Sequence, residues 1–226
     1  MNLLHRNSRA AGLTAVTLLA VSAYSTSPAA AVHPSHCFAN GVELTPHPFA
    51  GLTQPAAAPD ELLALVEIPA GSAVKYDLHH PSGRMVVDRF LTMPMAYPIN
   101  YGVLPCTLAG DGDALDILVL TRAPLAPGSV IRVRPIGVLR MLDRGEEDHK
   151  ILAVPLSSVD ATYDGIAAAT DLPPDELARI EAFFGVYKEL PHPPAEVQGG
   201  PWEGPAAALT LVRSAMATAA APTLHD

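Results

Sequence analysis

Asp111-Gly112-Asp113-Ala114-Leu115-Asp116 places three carboxylates within six residues and then runs straight into Ile117-Leu118-Val119-Leu120. The apolar run has the length and β-branched character of a buried strand. Gly112 permits a tight or positive-φ turn, so the flanking aspartates can converge on one point. Carboxylates that close cannot all stay ionised unless a cation sits between them. Oxygen-only ligands favour a hard ion such as magnesium, manganese or calcium over zinc or copper. A lone Asp-Gly-Asp is more often a solvated turn ahead of a strand, so the rest of the chain has to decide.

With 226 residues, 49% of them hydrophobic, the chain suits one domain with a full core plus appendages. Arg6 and Arg9 precede an apolar run from Ala10 to Ala23, and Ala29-Ala30-Ala31 offers a small-residue cleavage site. This is the layout of a secretory signal peptide over 1–31, and it predicts an exported, periplasmic or secreted protein with no membrane span after cleavage. The net charge of −9 argues against non-specific nucleic-acid binding. Cys37 and Cys106 could form one bridge in an oxidising compartment, worth roughly 4 kcal/mol in the chain-entropy model. Sequence leaves that pairing open. His33, His36 and Cys37 could hold a soft metal, but a tail suits them better.

Residues 32–60 are rich in Pro and Ala and read as a poorly ordered arm. The ordered domain is expected over 61–217, with 218–226 as a tail. Within it, Glu61–Ile68, Val74–Leu78 and Met85–Arg89 read as strands. Val130–Leu142 is a long strand, with Ile131 and Val133 opposite Arg132 and Arg134, and Pro135 and Gly137 predict a bend or bulge in it. Lys150–Val154 is a further strand. Short strands joined by Pro/Gly turns predict a closed or nearly closed barrel. Pro173-Pro174 with Asp175 and Glu176 open a helix whose Leu177, Ile180, Phe184 and Tyr187 share a face. Gly204-Pro205 opens a second, Ala-rich helix with Leu209, Val212 and Met216 turned inward.

Lysine occurs three times, at 75, 150 and 188, against eleven arginines. A residue this scarce belongs where a compact ammonium is wanted. Each lysine stands near carboxylates or a tyrosine. Together with Arg89 and the acidic cluster, they describe a site for a small polyanion bridged by metal ions.

Glu67-Ile68-Pro69, Lys75-Tyr76, Asp88-Arg89-Phe90, Tyr97-Pro98-Ile99-Asn100-Tyr101-Gly102, the Asp111–Asp116 stretch, Asp143 with Asp148 and Lys150, and Tyr187-Lys188 together closely resemble the soluble family I inorganic pyrophosphatases. The resemblance runs in order from Leu62 to Met216. It implies an α+β, mainly β fold: a five-stranded barrel of OB type flanked by two C-terminal helices, often assembled as a hexamer. It also implies hydrolysis of inorganic diphosphate to two orthophosphates, by in-line attack of a metal-bridging water with several magnesium ions (Mg2+, or Mn2+) per site.

Carried over by position, the resemblance makes Asp111, Asp116 and Asp148 ligands of a first ion. Asp116 also serves a second, and Asp143 and Asp148 serve one borne by the substrate. Asp113 resembles the general base. Lys75, Arg89, Lys150, Tyr187 and Lys188 would hold phosphate, Tyr101 would bond near the bridging carboxylate, and Glu67 and Tyr97 would line the cavity. Asp77 stands where Glu is usual and Ala114 where Pro is usual, changes that touch an outer ion and loop stiffness.

The chemistry suits these residue types without the family. Paired ions acidify water and hold it in line, a carboxylate takes its proton, and cations neutralise the departing phosphate. Three rival readings fare worse. An EF-hand fails because Asp116 stands where Gly is required, and an aspartyl-nucleophile phosphatase fails because Leu115 stands where Thr or Val is wanted. A phosphate-binding protein without turnover would keep the lysines but release no phosphate.

Overall fold

The computed structural model describes residues 38–39, 42–43, 52–79, 82–188 and 197–220. The signal peptide expected from sequence, His33, His36, Cys37 and residues 221–226 lie outside the described residues. Cys106 is disulfide-bonded, and Cys37, the other half of the pairing considered above, is not described.

Two short strands, β1 (Phe38–Ala39) and β2 (Val42–Glu43), pair antiparallel. Within 52–60, Gln54 donates to the carbonyls of Leu63 and Pro105 and accepts from Leu63 N. That part of the N-terminal arm is therefore tied to the domain that follows.

The domain is built on β3 (Leu62–Ile68), β4 (Val74–His79), β5 (Arg84–Phe90), β6 (Asn100–Val103), β7 (Asp116–Val119), β8 (Val130–Asp143), β9 (Glu146–Glu147), β10 (Lys150–Pro155) and β11 (Val197–Glu203). β3 pairs with β6, β6 with β7, β7 with β10, β10 with β8, and β8 with β3, which closes a ring of five strands. All these pairings are antiparallel except β7–β10. β11 and β9 extend β8, and β4–β5 is a separate hairpin. The barrel expected from sequence is thus present. As expected, the β8–β10 register slips between its Gly137 and Pro135 rungs, which leaves Ile136 as an extra residue.

Alternation along the strands buries both faces. Ile117, Val119, Ile151, Ala153, Leu62, Ala64 and Val66 belong to one core with Ala208, Val212 and Ala215 of α2 (Pro205–Ala220). Leu118, Leu152 and Val154 point the other way, into a core with Ile180, Phe183 and Phe184 of α1 (Pro174–Val186). By the same parity, Asp116 and Lys150 stand on the α1 side. Of the residues expected to face inward, Val212 is buried with Ala208 and Ala215, Met216 packs half-buried against the same core, and Leu209 is only half-buried.

Gly102 marks the closest approach in the ring. A Cβ there would lie 1.9 Å from the carbonyl oxygen of Leu65. Backbone in a closed ring cannot yield that much, so Gly102→Ala is expected to cost at least about 3 kcal/mol. Urea denaturation checks this; an unchanged midpoint would contradict it.

Candidate active site

Register delivers the central charges. Lys150 is the Cα partner of Asp116 across β10 and β7, and Asp148 lies two residues before it. The Lys150 side chain is 1% exposed and its ammonium binds both Asp116 and Asp148, the latter at 2.5 Å. Burial alone would lower the Lys150 pKa, but the two carboxylates reverse the sign and hold it above the ordinary lysine value. Asp148 is itself raised, first by burial and then by the charge of Asp116, which outweigh its pairing with Lys150. Lys188, just past α1, donates to Asp143 at the end of β8. The other oxygen of Asp143, Oδ1, is buried without a hydrogen-bond partner among the described residues.

An aromatic floor lies beneath. Lys150 Nζ sits 5.7 Å from the Tyr101 ring centroid and 5.6 Å from that of Phe184, and Lys188 Nζ lies 5.3 Å from that of Tyr187. Tyr97, Phe183 and Tyr187 pack tilted, edge-on or stacked around them. Burial pushes the Tyr97, Tyr101 and Tyr187 hydroxyls above their ordinary pKa, so all three are neutral donors near pH 7. Tyr101 hydrogen-bonds with the Asp116 carboxylate.

Two bulges aim the remaining groups, and bulges re-aim side chains where they occur. The β3–β6 register slips between Val66 and Ile68, so Glu67 is the extra residue. The β4–β5 register slips so that Asp88 is extra. Asp88 thereby stands 2.9 Å from Lys75 across the hairpin and 2.9 Å from Arg89, its neighbour along β5. Its pKa is lowered, first by the hydrogen bond from Lys75. Glu67 accepts from Leu78 N at 3.2 Å and senses both Asp77 and Asp116. Arg89 in turn acts on Tyr97 and Tyr187.

Glu67, Lys75, Asp77, Arg89, Tyr97, Tyr101, Asp116, Asp143, Asp148, Lys150, Tyr187 and Lys188 are therefore linked by contact or by charge. Asp111 and Asp113 are placed differently. Both are exposed on the turn before β7, where Asp111 Oδ1 accepts from Asp113 N at 3.0 Å. The trio Asp111, Asp116 and Asp148 is thus brought together only in its last two members, with the Lys150 ammonium between them. Among the described residues, no group of three or more His, Cys, Asp or Glu side chains is close enough to hold a metal. Asp88 and Phe183 were not singled out as site residues from sequence. Alternation suggested neither, because one stands on a bulge and the other turns in beside Phe184.

Glu67 gives a pH prediction. Burial, helped by Asp77 and Asp116, raises its pKa to about 8. The folded state then holds a proton that the unfolded state releases near pH 4.5. Stability of the metal-free protein should fall as pH rises from about 5 to 8, by up to ~1.4 kcal/mol per pH unit from this group. Glu67→Gln should flatten that slope in urea unfolding series. A slope unchanged by the substitution would contradict the assignment.

The model of the inorganic pyrophosphatase family matches residues 64–220. The chain belongs to the inorganic pyrophosphatase family. The inorganic pyrophosphatase of Agrobacterium fabrum is 45% identical over 159 residues, 70% of this chain and 89% of that protein. The enzyme of the same description from Gluconobacter oxydans is 46% identical over 162 residues, covering 71% and 92%. The solved structure of an inorganic phosphatase from Anaplasma phagocytophilum superposes with a TM-score of 0.71 at 46% identity, covering 74% of this chain and 97% of that one. The chain is accordingly a hydrolase acting on a phosphoric anhydride, with the mainly β fold of its family.

Proposed function

We propose that this chain hydrolyses inorganic diphosphate to two orthophosphates, with divalent ions, magnesium first, held by Asp116, Asp143 and Asp148 and by Asp111 from the turn. The observation that carries this reading is the interleaving of Lys150 and Lys188 with Asp116, Asp148 and Asp143 over an aromatic floor. Such a place suits a polyanion and its counter-ions together. The donor set is carboxylate oxygen throughout, and Asp143 Oδ1, buried without a partner among the described residues, suits a hard cation.

Divalent ions bound there supply charge neutralisation and acidify the attacking water. The chain's own groups do the rest. Lys75 and Arg89 release Asp88, and Lys150 and Lys188 release their carboxylates, to take phosphate oxygens. Asp113, on the open side before β7, accepts the proton of the attacking water. Tyr187 donates a hydrogen bond without adding charge. As negative charge builds on the departing phosphate, the buried ammonium of Lys150 stabilises it more than an exposed one would.

Export and assembly belong to the same reading. The Arg6/Arg9 leader and the Ala29–Ala31 site support cleavage and work outside the cytoplasm, and no helix among the described residues is long and apolar enough to cross a membrane. Val86, Val87 and Phe90, all exposed on the β4–β5 hairpin, support a homo-oligomer, and the resemblance favours a hexamer. Fractionation that finds uncleaved cytosolic protein ends the export reading, and light scattering at monomer mass ends the other. For the activity, phosphate release from diphosphate should require Mg2+ and stop with EDTA. Folded protein that releases none with any divalent ion would sink the proposal.

A further inference from the structure

We propose that His149 is a positioning residue that sets where the Asp148 carboxylate stands; the inference rests on the ion-binding role given to Asp148 above. β9 and β10 follow one register along β8, with Leu142 opposite Glu147 and Leu139 opposite Lys150. Met141 is therefore opposite Asp148. Directly opposed residues in an antiparallel ladder that share hydrogen bonds exchange two of them, each N–H donating to the other's carbonyl. Here the backbone makes only one of the two: Asp148 N donates to Met141 O at 3.0 Å. Met141 N donates instead to Nδ1 of the His149 ring, at 3.2 Å.

The imidazole thus stands in for the carbonyl of Asp148. The ladder breaks at these two residues, with β9 ending at Glu147 and β10 resuming at Lys150. Asp148 lies within the break and Lys150 at its far edge, and there Lys150 Nζ meets Asp148 Oδ1 at 2.5 Å. A buried amide with no acceptor is costly, so the ring holds the broken backbone in place. Accepting at Nδ1 leaves the proton on Nε2, which points toward Glu147 Oε2 at 3.7 Å. The His149 side chain is 10% exposed, so solvent is a poor substitute for it. His149 touches neither substrate nor ion in this account. It acts through the Asp148-Lys150 segment.

The test compares His149→Leu, which removes the acceptor at similar bulk, with His149→Asn, whose Oδ1 can occupy the place of Nδ1. Mn2+ affinity is measured by calorimetry without diphosphate, and kcat and KM are measured with it. His149→Leu is expected to weaken Mn2+ binding by about 10–100-fold, the usual cost of losing a group that orients a ligand, and to lower kcat more than it raises KM. His149→Asn is expected to recover most of the affinity. Equal impairment of the two variants, or wild-type Mn2+ affinity in His149→Leu, overturns the proposal. Failure of the wild-type chain to release phosphate counts against the activity instead, and the Mn2+ comparison still decides the role of His149.

Discussion

Lys150→Met should lose diphosphate turnover by at least about 10³-fold, the order expected when a preorganised group stabilising the transition state is removed from a dry site, and about 3–5 kcal/mol of stability. The second loss follows from what stays behind. Asp116 and Asp148 share the Lys150 ammonium, and methionine leaves two part-buried carboxylates facing each other with no cation. One of them must then bind a proton, so its pKa in the folded variant rises above the unfolded value. Stability bound up with a raised carboxyl pKa is present at low pH and lost as pH rises. The variant should therefore recover part of its deficit between about pH 8 and 5, which urea unfolding at both pH values reads directly. A variant as stable as the parent at pH 8 would mean that Lys150 only fills space.

Asp113→Asn should do the opposite: hold the fold and stop the chemistry. Asp113 is exposed, and its backbone holds the turn, its N–H donating to Asp111 Oδ1 and its carbonyl accepting from Ala109 N, bonds that asparagine keeps. Stability should change by no more than about 0.5 kcal/mol. Loss of the proton acceptor should slow phosphate release by about 10²–10⁴-fold, with divalent-ion affinity retained. Parental turnover in this variant would remove Asp113 from the role of base.

The barrel was legible because its strands obey simple alternation. Ile131 and Val133 against Arg132 and Arg134, and the Pro135–Gly137 irregularity, are written into β8 and appear there. β6 and β11 were hidden for a physical reason. Asn100 is buried in β6, where it satisfies itself against Ala70, Val119, Thr121 and Leu125, and a polar residue there does not announce a strand. β11 reads Val-Gln-Gly-Gly-Pro-Trp-Glu, a composition of turns, and it needs Gly200 because a Cβ would meet Arg140 O at 2.9 Å. In α2, proximity to β8 favours alanine, so the most buried positions carry Ala208 and Ala215, with the larger Met216 half-buried at the edge of that core.

The site was legible in its residue types and less so in its geometry. Scarcity pointed to the three lysines, and each is paired with a carboxylate. The partners were not all foreseen: Lys75 meets Asp88, which no periodicity places inward, because a bulge does so. Asp111 shows the limit of spacing as a guide. Three aspartates within six residues need not share one point when a tight turn lets the first of them face solvent.

The account rests on divalent ions gathering at Asp116 and Asp148 while Lys150 turns to phosphate. Crystals grown with Mn2+ and a non-hydrolysable diphosphate analogue test this by anomalous scattering. Manganese is expected within about 2.0–2.6 Å of carboxylate oxygens of both aspartates, with Lys150 Nζ on a phosphate oxygen. Manganese bound elsewhere, with Lys150 still bridging Asp116 and Asp148, would contradict it.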